Sequence, residues 1–181
     1  MLGKQQEARI WRDKAAQTKS AMLEYLYDKE DQFFYDRDTR GFRKYRSEHI
    51  TRVFLNKVLG QDEFEPIYAR YFEQSGKEFL PPFPFPSMSI DDPHFNKECP
   101  KNSWGSNTQA LTGLRATMWM DYYRRSEDLN GLLSLWMKAF LKYDSQFPQE
   151  INPFDGHPVG NNGKYTPSLI IFIKAAERLF R

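Results

Sequence analysis

The 181 residues suffice for one domain with a buried core. With 26 Lys and Arg against 24 Asp and Glu, the net charge of +2 argues against a dedicated nucleic-acid surface, which would be far more basic. The single Cys99 excludes an internal disulfide and any multi-cysteine metal site, and it names no compartment. No apolar run approaches the ~20 residues of a membrane-spanning helix, and the start at Met1 lacks the apolar core of a secretion signal.

In chain order, residues 5–27 are expected to form a helix whose interrupted stripe of Ile10, Ala15, Ala16, Met22, Leu23 and Leu26 needs a partner. Aromatics flank a polar turn ending at Gly41, so 32–45 reads as one small β-hairpin. Ser47 is placed to cap a helix running to Leu59, with Gly60 as its stop. A third helix starts near Asp62 and carries Pro66 about one turn in; its apolar face is Phe64, Ile67, Tyr68, Tyr71 and Phe72.

Between 77 and 103 the prolines remove every helical period, and a loop this long and this aromatic is expected to pack over a site. A fourth helix follows from Ser106 or Asn107 to Arg125, with Ala110, Leu111, Leu114, Met118 and Tyr122 on the buried side. A fifth runs from Glu127 or Asp128 to about Asp144, close enough in sequence to be an antiparallel neighbour. Thr166 and Pro167 start a last helix through Leu179, whose run 169–173 is apolar almost all round and predicts burial on several sides. The class is therefore all-α: antiparallel helical hairpins with a small β-hairpin.

Between the last two helices, Glu150 lies in a turn-rich stretch flanked by Phe147, Pro148, Pro153 and Phe154. Apolar flanks tune a carboxylate and prolines aim it, as a general acid or base requires, the alternative being a surface glutamate in a turn. The stretches 81–86, 87–95 and 102–105 should lie near it. The aromatic share of 16 % fits a groove that stacks sugar rings, although large cores also use aromatics heavily. His49, His94 and His157 lack metal-site spacing, and no phosphate-binding glycine loop or nucleophile elbow is present, so no metal or cofactor is expected.

The run Gln149-Glu150-Ile151-Asn152-Pro153-Phe154-Asp155-Gly156-His157-Pro158-Val159-Gly160 resembles the Glu-x-x-Asn/Asp-Pro-x-Thr/Asp-Gly-x-x-x-Gly segment of six-hairpin glycosidases. That clan includes glycoside hydrolase family 63 and mannosylglycerate hydrolase-like enzymes. Pro86-Ser87-Met88-Ser89-Ile90-Asp91-Asp92-Pro93 is similar to its Pro-Ser-x-x-x-Asp-Asp-Pro loop. Further matches, in the same order along the chain, are its early hairpin around Phe34-Tyr35-Asp36-Arg37-Asp38, its Trp-Arg-Gly turn at Ser103-Trp104-Gly105, and the start of its final helix at Tyr165-Thr166-Pro167-Ser168.

The resemblance implies an inverting hydrolase of α-linked glucosides or mannosides, with Glu150 as general base and a carbohydrate as ligand. It also implies that Asp92, Asn102, Trp104, Asn107, Asn152 and Tyr165 lie around the sugar, although the chain lacks the family's arginine after Trp104. Asp92 could instead brace its loop, and Asn107 and Tyr165 could serve as cap and packing residues. The family's (α/α)6 toroid has about twice the helices read here, and its general acid lies in a segment upstream of everything in this sequence. The chain is thus expected to be a C-terminal portion, about half of a toroid and inactive alone, completed by the missing N-terminal half or by self-association. The alternative is a non-catalytic helical module that binds carbohydrate or protein.

Overall fold

A computed structural model describes residues 4–73, 78–96, 105–144, 146–160 and 163–180. The chain divides into two compact units, Met1–Tyr45 and Arg46–Arg181. In the first, helix α1 (Gln5–Tyr25) fully buries none of its residues: Ile10 and Trp11 are exposed, and only the end of its apolar stripe, at Met22 and Leu23, is half-buried.

After α1 the sequence suggested one hairpin, but two are present. Strand β1 (Tyr27–Asp28) pairs with β2 (Phe33–Phe34), and β3 (Asp36–Asp38) pairs with β4 (Gly41–Arg43). Asp28 explains the first hairpin, because its Oδ1 accepts the backbone N–H groups of Glu30 (2.9 Å) and Asp31 (3.1 Å) and bends the chain. Lys44 closes the loop with bonds to Asp28 (2.9 Å) and Asp31 (3.0 Å). The Lys44 bond, against the opposing effect of burial, holds the Asp28 carboxyl below the usual range, while the lysine is raised above its own. Gly41, at φ +113°, makes the second turn.

The second unit contains α2 (Ile50–Leu55), α3 (Gln61–Phe72), α4 (Ala110–Trp119), α5 (Ser126–Lys142) and α6 (Thr166–Leu179), together with the short strands β5 (Thr108–Gln109), β6 (Glu150–Ile151) and β7 (Pro158–Val159). Helix α2 is shorter than its periodicity suggests. Ser47 forms a bridge with Met88 instead of capping, and the helix stops in a Schellman turn in which Lys57 adopts φ +53° and Val58 N–H reaches Val53 O (3.2 Å). Helix α3 begins at Gly60, where Glu63 accepts the backbone N–H (2.7 Å), so Pro66 sits deeper than the first turn; burial of Phe64, Ile67, Tyr68 and Tyr71 compensates for the lost bond.

Helices α5 and α6 pack on α4, but α4 turns a different side inward from the one its large apolar residues predict. Thr112, Gly113, Ala116 and Trp119 are buried, whereas Met118 and Tyr122 are exposed. Small residues decide this orientation, because a Cβ on Gly113 would lie 2.8 Å from Trp136 Nε1 and 3.4 Å from Ile171 Cδ1. Gly113→Ala is therefore expected to lower stability by about 1–3 kcal/mol through overpacking, read as a fall in the urea midpoint. Nor is α6 buried on several sides: only Ser168, Ile171 and Ala175 are covered, and Leu169 and Ile173 are exposed.

A cluster of large aromatic residues forms the core of this unit. Phe64 stacks on Tyr123 (4.0 Å between centroids), Phe54 meets Phe64 edge-on (4.8 Å), and Trp119, Tyr68, Phe72, Phe79 and Phe85 complete the cluster with negligible exposure. The buried hydroxyls are satisfied, Tyr68 by Asp128 (2.9 Å) and Tyr123 by the carbonyl of Leu59 (3.0 Å). No helix among the described residues is long and apolar enough to cross a membrane.

Candidate active site

The stretch expected to be a loop around Glu150 contains the central strand of a small sheet. Strand β6 pairs antiparallel with β5 on one side and β7 on the other, which sets Glu150 between Gln109 and Val159, and Ile151 between Thr108 and Pro158. Isolated bridges from Pro86 to Thr108 and from Ser47 to Met88 extend the mesh toward α2. Local chemistry holds the strand in place. Ala110 N–H bonds Gln149 O (2.9 Å), Tyr165 N–H bonds Phe147 O (2.7 Å), and Ser168 Oγ donates to Pro148 O. Beyond Ile151 the chain reverses: Asn152 Oδ1 accepts Phe154 N–H (2.8 Å), Asn152 N–H bonds His157 O (2.8 Å), and Gly156 turns at φ +75°.

Glu150 is only 1 % exposed. Asn107 Nδ2 donates to its Oε2 at 2.6 Å, while Oε1 has no hydrogen-bond partner among the described residues. A buried carboxyl with one oxygen unsatisfied is costly to the fold. Gln109, directly across the ladder, shares its face, because cross-strand partners project to the same side of a sheet. Sequence reasoning missed Gln109 by starting the fourth helix at Ser106 or Asn107. The only available signal was the register of a two-residue strand, which local periodicity does not carry.

The Pro-rich run does reach this hairpin, with Phe83 N–H bonded to Pro153 O (2.8 Å) and Thr108 Oγ1 donating to Phe83 O (2.9 Å). Ser87 binds Asn107 O through both its N–H (2.9 Å) and its hydroxyl (2.9 Å). The Phe95 ring meets that of Phe154 at 6.1 Å. Of the other expected site residues, Asn152 shapes the turn, and Tyr165 anchors β6 through its backbone while its hydroxyl makes no hydrogen bond among the described residues. Asn102 and Trp104 lie outside the described residues.

Asp92 braces its own loop. Its Oδ2 accepts Arg46 N–H (2.9 Å), and its Oδ1 faces both the backbone N–H of His94 (2.9 Å) and the ring nitrogen Nδ1 (3.0 Å). Burial pushes this carboxyl up, but those bonds outweigh it and hold the group below its usual range.

Next to it, Glu78 and Asp91 share Ser89, whose Oγ lies 2.7 Å from Glu78 Oε2 and also contacts Asp91 Oδ1. A hydroxyl has one hydrogen, so one of the two carboxyls must supply a proton. Burial first and Asp91 second raise Glu78 to about 7, whereas Arg46 (2.9 Å) helps keep Asp91 charged. A carboxyl raised on folding adds stability that is complete below its unfolded value and lost as pH rises through its folded one. The melting temperature should accordingly fall as pH rises from about 4.5 to 7, and Glu78→Gln, which mimics the protonated form, should flatten that slope in a series of thermal melts.

Cavities among the described residues include one of about 290 Å3 bordered by Thr117, Asp121, Leu133 and Arg178, and one of about 240 Å3 bordered by Tyr68, Phe72, Phe85 and Leu132. Glu150 lines neither. Among the described residues no group of three or more His, Cys, Asp or Glu could hold a metal ion.

Residues 1–167 match the family described as the mannosylglycerate hydrolase MGH1-like glycoside hydrolase domain. Comparison with curated protein sequences finds no match. Among solved structures, the family 63 mannosylglycerate hydrolase from Thermus thermophilus in complex with glucose is similar at 17 % identity and a TM-score of 0.69, over 84 % of this chain and 35 % of that one. Neutral trehalase from Saccharomyces cerevisiae is similar at 14 % identity and a TM-score of 0.74, over 93 % of this chain and 30 % of that one. The chain thus spans about a third of the length of these structures, and at such identities they speak to the fold, which is that of helical-barrel glycosidases. A family match over residues 1–167, on a chain whose buried strand carboxylate stands in the glycosidase motif, leads to one conclusion: this chain belongs to the mannosylglycerate hydrolase MGH1-like glycoside hydrolase domain family.

Proposed function

We propose that the chain forms the C-terminal portion of an inverting glycoside hydrolase acting on α-linked glucosides or mannosides, and that Glu150 is its general base. The observation that carries this reading is the state of the Glu150 carboxylate, held by Asn107 at 2.6 Å through one oxygen and unpaired at the other. Such a group is oriented by its bound oxygen and free to take a proton with the second. Inversion requires a second carboxyl about 6.5–9.5 Å away with a water between the two. Asp91 and Asp92 are both poor acids, because Asp91 is paired with Arg46 (2.9 Å) and the oxygens of Asp92 are committed to Arg46 and His94. The acid is therefore assigned to the part of the protein outside this chain, together with the remaining helices of a toroid of which these helices make about half. A second copy of the chain is the alternative source of those helices, and the uncovered Leu169, Ile173 and Phe180 of the α6 region would face whichever supplies them. In this arrangement Asn152, Tyr165 and the loops carrying Asp92, Asn102 and Trp104 shape the sugar subsite, while Asn107 orients the base.

The test is the stereochemistry of hydrolysis by the full-length protein. Proton NMR of the first product released from an α-glucoside or α-mannoside should show the β-anomer, and release of the α-anomer would overturn the inverting assignment.

A further inference from the structure

We infer that Gln109 is a positioning residue that, with Asn107, holds the water Glu150 would activate; this rests on the proposed role of Glu150. Among the described residues, three buried polar atoms on side chains linked by the β5–β6 register and the Asn107–Glu150 bond lack hydrogen-bond partners: Asn107 Oδ1, Gln109 Nε2 and Glu150 Oε1. Asn107 is 0 % exposed and the other two residues 1 % each, so bulk solvent does not satisfy them. The ladder register puts Gln109 directly opposite Glu150, and the 2.6 Å bond from Asn107 to Glu150 Oε2 brings the third residue to the same carboxylate.

The chemistry of these three atoms is specific. Two accept and one donates, which is the complement of a water molecule that gives its two hydrogens to Glu150 Oε1 and Asn107 Oδ1 and accepts one from Gln109 Nε2. A sugar hydroxyl, with a single hydrogen, would leave one acceptor unsatisfied. A water held this way keeps one lone pair unused, and its orientation is set before the substrate arrives. As its oxygen bonds to the anomeric carbon, one proton passes to Glu150 Oε1. The exocyclic C–O bond breaks, and the leaving alcohol takes a proton from the carboxylic acid assigned above to the rest of the protein.

Two measurements test the inference. A crystal structure of the 181-residue chain, at a resolution that shows ordered solvent, should contain one water within hydrogen-bond distance of all three atoms. A dry pocket, or a Gln109 carboxamide turned onto a protein acceptor, would overturn the inference whether or not the isolated chain has activity. In the full-length enzyme, Gln109→Met keeps the side-chain length and removes the donor. Its kcat should fall by about 10- to 100-fold with KM nearly unchanged. An unchanged kcat with a raised KM would mark Gln109 as a sugar contact and refute water positioning. If Glu150→Gln abolishes turnover and Gln109→Met does not reduce it, only this inference falls; if Glu150→Gln leaves turnover intact, the base assignment falls and takes the inference with it.

Discussion

Glu150→Gln is expected to remove most turnover from the full-length enzyme, with kcat falling by about 10²- to 10⁴-fold, the range that a positioned general base contributes. Affinity for the sugar should persist, because the amide occupies the same space and can still accept the bond from Asn107 Nδ2. Steady-state kinetics together with calorimetric binding of the product sugar check both halves, and an unaltered kcat would remove Glu150 from the mechanism. The isolated chain offers an independent reading. A carboxyl that is 1 % exposed, with Oε1 unpaired among the described residues, opposes folding, so an amide that can donate from that position should raise the urea midpoint. If stability falls, Glu150 is a structural residue held by its bonds; if stability rises while activity is lost, it is a functional residue maintained against the fold.

Gly156→Ala should be the most damaging small substitution near the site. The backbone there is at φ +75°, a region that L side chains enter at a cost of about 1–2 kcal/mol. Space is also absent: an added Cβ would lie against Phe83 Cζ and 2.8 Å from its Cε1 and Cε2. Strain and overpacking together predict a loss of about 2–4 kcal/mol by urea denaturation. The two contributions can be separated, because in a Phe83→Ala background only the strain of the left-handed backbone remains and the double mutant should lose less than the sum of the singles. Since Gly156 closes the turn between β6 and β7, and Phe83 N–H is bonded to Pro153 O at 2.8 Å, the variant should also displace Glu150 and reduce activity beyond the effect of lower stability.

Much of this protein can be read from local patterns. All six expected helices are present among the described residues, although α2 and α4 are shorter than their periodicity suggests, and the Thr166–Pro167 start of α6 is where its cap chemistry puts it. The order of the Pro-Ser-x-x-x-Asp-Asp-Pro and Glu-x-x-Asn-Pro segments points to the glycosidase family that the match over residues 1–167 establishes. These are short-range signals, each complete within a few turns of chain.

The presence of the helices and the family were thus legible in the residues alone. The inward side of α4 was not, because it depends on Gly113 leaving room for Trp136 and Ile171, where a Cβ would not fit. Packing in three dimensions also ended α2 at a left-handed Lys57, gathered Phe54, Phe64, Tyr68, Phe72 and Trp119 in the core, and brought Glu78 and Asp91 to the same Ser89 hydroxyl. Its most consequential product was the sheet. Asn107 and Gln109 meet Glu150 across more than forty residues of chain, beside and within a two-residue strand too short to leave a period, so their placement at that carboxyl is a property of register, and register exists only once the chain has folded.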